Sequence, residues 1–120
     1  MPFDIVVCEK GNPLIAPMDR VEPIGATIAH LELGLDTHAE ITTLLELETK
    51  KFPLLNRLDD YYGKVEWKLA ELDSLIAEVQ VLENKIDEMQ FPEVLEWIRT
   101  FNTLIMKARK SFVSVYGIPD

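Results

Sequence analysis

A chain of 120 residues, 48% of them hydrophobic, has the size of one domain and can bury about two thirds of its unfolded surface around a single core. Its net charge of −9 is unevenly spread: residues 32–96 hold 16 of the 21 acids and 6 of the 12 bases, whereas Arg99, Lys107, Arg109 and Lys110 meet no acid until Asp120. Such a surface repels nucleic acid and anionic lipid, no apolar run approaches the ~20 residues of a membrane span, and no basic segment followed by an apolar one opens the chain.

The expectation is a soluble cytoplasmic protein with no nucleic-acid or membrane partner. Cys8 is the only cysteine, so no intrachain disulfide can form, and its place in an apolar run reads as a buried thiol.

In chain order, residues 3–9 are apolar on both alternating faces, Phe3, Ile5 and Val7 on one and Val6 and Cys8 on the other, which predicts a central strand covered on two sides. Lys10, Gly11 and Asn12 supply a turn, after which 13–16 is expected to return as a short antiparallel partner, with a loop over 17–23. Residues 26–33 alternate as a further strand, with Thr27, Ala29, Leu31 and Leu33 opposite Ala26, Ile28, His30 and Glu32.

Thr37 and Glu40 have the spacing of a capping box. It predicts a helix over roughly 37–62, with Ile41, Leu44, Leu45 and Phe52 facing the core and a kink at Pro53. A second helix is expected over 66–89. Val65, Leu69, Leu72, Leu75, Ile76, Val79, Leu82 and Ile86 fall on one side, and a narrower stripe of Trp67, Ala70, Ser74, Ala77 and Val81 lies opposite. Lys64 to Trp67 also alternates, so a short strand there would remove Trp67 from the stripe. Pro92 suits a helix first turn and opens a third helix over 92–110, whose closing Lys107, Arg109 and Lys110 complement the helix dipole. Residues 111–116 are rich in β-formers and predict a last strand beside the N-terminal sheet, ended by Gly117 and Pro119.

The fold class is therefore α+β: a small, mainly antiparallel sheet covered by three or four helices, dominated by helix and forming a single domain over 1–120. Nucleophile elbows, phosphate-cradling glycine loops, dinucleotide fingerprints and helical zinc motifs are all absent from the sequence, so neither enzymatic activity nor a cofactor is expected.

Three groups of residues remain as candidates. Asp59, Asp60, Tyr61 and Tyr62 combine acids with large rigid rings and could contact a basic partner protein. The stripe Trp67, Ala70, Ser74, Ala77 and Val81 is either a second intrachain packing face or the contact of a homodimer. His30, Glu32 and His38 offer imidazole and carboxylate donors for a divalent metal if a turn through Gly34 brings them together, although ordinary polar surface residues are the simpler reading. The favoured function is a non-enzymatic acidic binding module, of the size and charge of an immunity-type inhibitor or an adaptor. A metal-binding or self-assembling protein is the alternative.

Overall fold

The computed structural model describes residues 3–8, 13–15, 21–23, 27–46, 49–59, 64–86 and 89–119. Strand β1 (Phe3–Cys8) lies inside a four-stranded antiparallel sheet of order β4-β1-β6-β5, formed with β4 (Thr27–Leu33), β5 (Val65–Trp67) and β6 (Val115–Pro119). The helices α1 (Leu35–Glu46), α2 (Leu72–Lys85) and α3 (Pro92–Lys110) complete an α+β fold dominated by helix.

The alternation in β1 has the expected meaning. Phe3, Ile5 and Val7 enter the main core, and Val6 enters a smaller cluster on the other face with Tyr116 and Ile118. In β4, Leu33 is buried and Ala29 and Leu31 pack on the core, while His30 and Glu32 are exposed.

Several expected boundaries are corrected. β2 (Pro13–Ile15) does not return onto β1 but pairs with β3 (Val21–Pro23), inside the stretch read as a loop, in a separate two-stranded sheet. β1 instead takes longer partners on both edges: six residues of it pair with β4 and four with β6. A three-residue strand starting with Pro13, which has no backbone N–H to donate, competes poorly with those ladders.

The helix expected over 37–62 is α1 alone, followed by the 3-10 turns Thr49–Lys51 and Leu55–Asp59. It starts two residues before the anticipated cap, because the Gly34 carbonyl accepts the first helical bond from the His38 N–H at 2.9 Å. Past Pro53 the backbone is held by a side chain. The buried Glu78 carboxylate of α2 accepts from the N–H of Leu54 (3.0 and 3.2 Å) and of Leu55 (3.0 Å). Phe52, Leu55 and Leu58 still reach the core, so the apolar spacing is obeyed while the helix ladder is not.

The strand alternative for residues 64–67 is the one realised. Trp67 is fully buried on β5, its indole N–H donating to the Leu54 carbonyl at 2.9 Å and its ring meeting Phe101. A 3-10 turn, Leu69–Glu71, then leads into α2.

Helix α3 has the expected ends, and its Trp97 indole donates to the Glu32 carbonyl at 2.9 Å, tying the helix to β4. The last strand begins later than expected and runs through Gly117 rather than stopping there. A Cβ at that position would lie 2.7 Å from the Phe3 ring, so glycine is what allows β6 to pass beneath it.

Candidate protein-docking surfaces

Helix α1 has a one-signed outer surface. Asp36, Glu40 and Glu46 are exposed, and the helix contains no lysine or arginine. Asp36 in the first turn suits the positive pole of the helix dipole, but Glu46 in the last turn opposes the negative pole, at a cost of about 0.3–1 kcal/mol. Helix stability therefore does not account for Glu46.

Glu46 lines a shallow cavity of about 200 Å³ together with Thr42, Leu45, Asn56 and Asp59. Among these described lining residues there are two acids, two neutral polar groups and one aliphatic side chain, and no base. A cavity of about 150 Å³ can hold a benzene ring, so this one has room for the end of a single side chain from a partner.

Of the sequence-predicted acidic and aromatic patch, Asp59 is exposed on the rim of this cavity. Asp60, Tyr61 and Tyr62 lie outside the described residues. Glu46 was missed by sequence reasoning, because a helix read through to residue 62 puts it in the middle rather than in the last turn.

The segment that carries Asp59 is fixed by charge. Arg57 makes a two-pronged ion pair with Glu71 (3.0 and 2.6 Å) and donates to the Glu66 carbonyl at 2.9 Å, while the Glu71 carboxylate also accepts from the Lys68 N–H at 3.0 Å. The Arg57 hydrogen bond, helped by that of Lys68, holds the Glu71 carboxyl down to about 2, and Glu71 in turn raises Arg57. Glu78 moves the other way: burial pushes its carboxyl up, against the lowering effect of the two backbone N–H groups it accepts from.

The metal-ligand candidates are not assembled. His38 is buried and its Nε2–H donates to the Leu58 carbonyl, while His30 donates to Asp4 at 2.7 Å on the exposed side of the sheet. Among the described residues no three His, Cys, Asp or Glu side chains are grouped so as to hold a metal ion. The turn through Gly34 starts a helix, which directs His38 into the core.

The stripe on α2 loses Trp67 to the core, and Ala70, Ser74, Ala77 and Val81 are exposed within the chain. They are therefore not a second intrachain packing face.

Next to them is a second, larger depression of about 600 Å³, where the start of α2 meets the end of α3. It is lined by Leu69, Asp73, Met106, Arg109, Lys110 and Phe112, with Arg109 paired to Asp73 at 2.9 Å. Phe112 is 80% exposed and has φ +58°. Its N–H bonds to the Arg109 carbonyl and the Val113 N–H to the Ala108 carbonyl (3.2 and 3.1 Å), the two bonds of a Schellman helix end. The left-handed position in that motif is ordinarily glycine, and here an aromatic ring occupies it and faces solvent.

No helix among the described residues is long and apolar enough to cross a membrane. No family model, curated protein or solved structure matches the chain.

Proposed function

We propose that this protein is a non-enzymatic binding module whose α1 surface engages a basic partner protein, in the manner of an immunity-type inhibitor or an adaptor. The observation that carries the reading is the acidic cavity: Glu46 stands against its own helix dipole and shares a side-chain-sized recess with Asp59, without a base among the described lining residues. Asp36 and Glu40 extend the same sign along the helix. A lysine or arginine of the partner would enter the recess, and the surrounding field would speed its approach. Arg57, Glu71 and Glu78 hold the Asp59 segment in place before any partner arrives, so little ordering cost is added on binding.

The test compares the wild-type chain with an Asp36→Asn, Glu46→Gln, Asp59→Asn variant as immobilised bait in a lysate of the native host. Retained proteins are eluted with salt rising through about 0.15 M to about 1 M, over which the screening length falls from ~8 to ~3 Å. A basic protein held stoichiometrically by the wild type and released early by the variant is the expected result. Retention that ignores both salt and the three substitutions would refute the reading.

A further inference from the structure

The outward side of α3 carries Glu93, Glu96, Thr100, Thr103, Lys107 and Lys110, all exposed and spaced three or four residues apart along one face. The order is two acids, two neutral residues, two bases. Reversed end for end it meets its own complement: Glu93 falls opposite Lys110, Glu96 opposite Lys107, and Thr100 opposite Thr103. We propose that a second copy of this chain docks antiparallel along this face, related by a two-fold axis that passes between Thr100 and Thr103.

Acids at the start of a helix and bases at its end also suit the helix dipole, and α3 gains from that on its own. Three further features are not explained by the dipole. First, the Thr100 and Thr103 hydroxyls both donate back to their own helix, to the Glu96 and Arg99 carbonyls at 3.0 and 3.2 Å, so the centre of the face offers methyl groups with no unmet hydrogen bond. Second, Phe112 stands exposed just past the last base, in a backbone position that disfavours it, and the same reversal brings it to Phe91 and Pro92 of the other copy. Third, Met106 is 46% exposed and lines the depression between α3 and the start of α2 with Leu69 and Phe112.

The acidic and basic ends of the 19-residue helix lie about 20 Å apart, more than twice the ~8 Å screening length at physiological salt, so each end presents its own sign to a neighbour. The helix strip alone covers about 300 Å², short of the ~800 Å² per partner of a standard interface. Even with the α2 flank added, the association is therefore weak and depends on concentration.

Sedimentation velocity on the full chain from about 10 µM to about 1 mM covers the range in which so small a contact dissociates. The expected result is a shift from monomer to dimer that weakens as salt rises. Two charge-reversed chains decide the geometry: Lys107→Glu with Lys110→Glu, and Glu93→Lys with Glu96→Lys. Each is expected to be monomeric alone. Mixed in equal amounts they form a heterodimer, at least about tenfold tighter than either self-association, because all four facing pairs are then opposite in sign.

A wild type that stays monomeric at the highest concentration, reversed chains that still dimerise alone, or folded reversed chains that do not associate when mixed would each overturn the proposal. Should the reversed chains fail to fold, Phe112→Asn, which suits the left-handed backbone, gives the same decision. Several-fold weaker self-association supports the contact, and unchanged self-association overturns it.

Discussion

Glu78 is the residue on which the proline-interrupted segment depends, and removing it has a calculable cost. Its carboxylate is 9% exposed and accepts from two N–H groups that Pro53 prevents from joining a regular helix, those of Leu54 and Leu55. Glu78→Ala leaves both donors without their acceptor, at about 1–3 kcal/mol each, partly offset because a carboxylate no longer has to be buried. The net expectation is a loss of about 2–4 kcal/mol, or a fall of about 2 M in urea midpoint at a slope near 1.5 kcal/mol/M.

Glu78→Gln keeps an acceptor oxygen of the same reach and should stay within about 1 kcal/mol of the wild type at neutral pH. Burial raises the Glu78 carboxyl in the folded state, so the native form binds its proton more readily than the unfolded chain does. Wild-type stability should therefore rise as pH falls from 7 through the folded value towards 4.5, and Glu78→Gln should remove that rise. Urea titrations of the three proteins at several pH values are the assay. An alanine variant within about 0.5 kcal/mol of the wild type would mean that water serves Leu54 and Leu55 equally well, and the reasoning would fail.

Glu71 predicts the opposite limb of the pH profile. Its carboxyl is held down to about 2, so its contribution is complete above 4.5 and is lost as pH falls from there towards 2, and Arg57→Met should flatten that loss in an acid denaturation series. Gly117→Ala drives a methyl group to within 2.7 Å of the Phe3 ring and 3.2 Å of Val65, an overpacking that should cost about 1–3 kcal/mol and lower the thermal midpoint accordingly. Phe112→Gly relieves the left-handed backbone and should stabilise the monomer by about 1 kcal/mol in dilute thermal melts, while weakening any self-association seen at high concentration.

Periodicity made the elements legible wherever one face is buried over several turns or residues. In α3 the buried Val94, Leu95, Ile98, Phe101, Leu104, Ile105 and Ala108 recur at helical spacing, and Pro92 marked the start. The alternation in β1 and β4 likewise separated the two faces, Phe3, Ile5 and Val7 from Val6, and Ala29, Leu31 and Leu33 from His30 and Glu32. The spacing of Ile41, Leu45 and Phe52 did name core residues, and the buried Leu55 and Leu58 continue it, yet it concealed the change from α-helix to 3-10 turns. What replaces the helical bonds is the Glu78 carboxylate, more than twenty residues away, and no local pattern encodes that.

A C-terminal strand beside the N-terminal sheet was legible, but its exact neighbour was not, because the choice between β2 and β6 as partner of β1 is a competition between distant segments. For the candidate surfaces, charge counting located the acidic half of the chain but not the recess. The recess needs Glu46 and Asp59 to meet across a break in the helix, and the three residues nominated with Asp59 as a contact patch lie outside the described part of the chain.

Strand β6 is inserted between β1 and β5, and it pairs with residues more than a hundred positions earlier in the sequence. During synthesis, β1 can find β4 early, but β5 has no neighbour in the sheet until residues 115–119 have left the ribosome. Until that moment Phe3 and Val65 lack the strand that lies against them. So distant a closure carries a large loop entropy and should place this chain among the slower folders of its size, with an unpaired strand edge exposed until residues 115–119 emerge and pair.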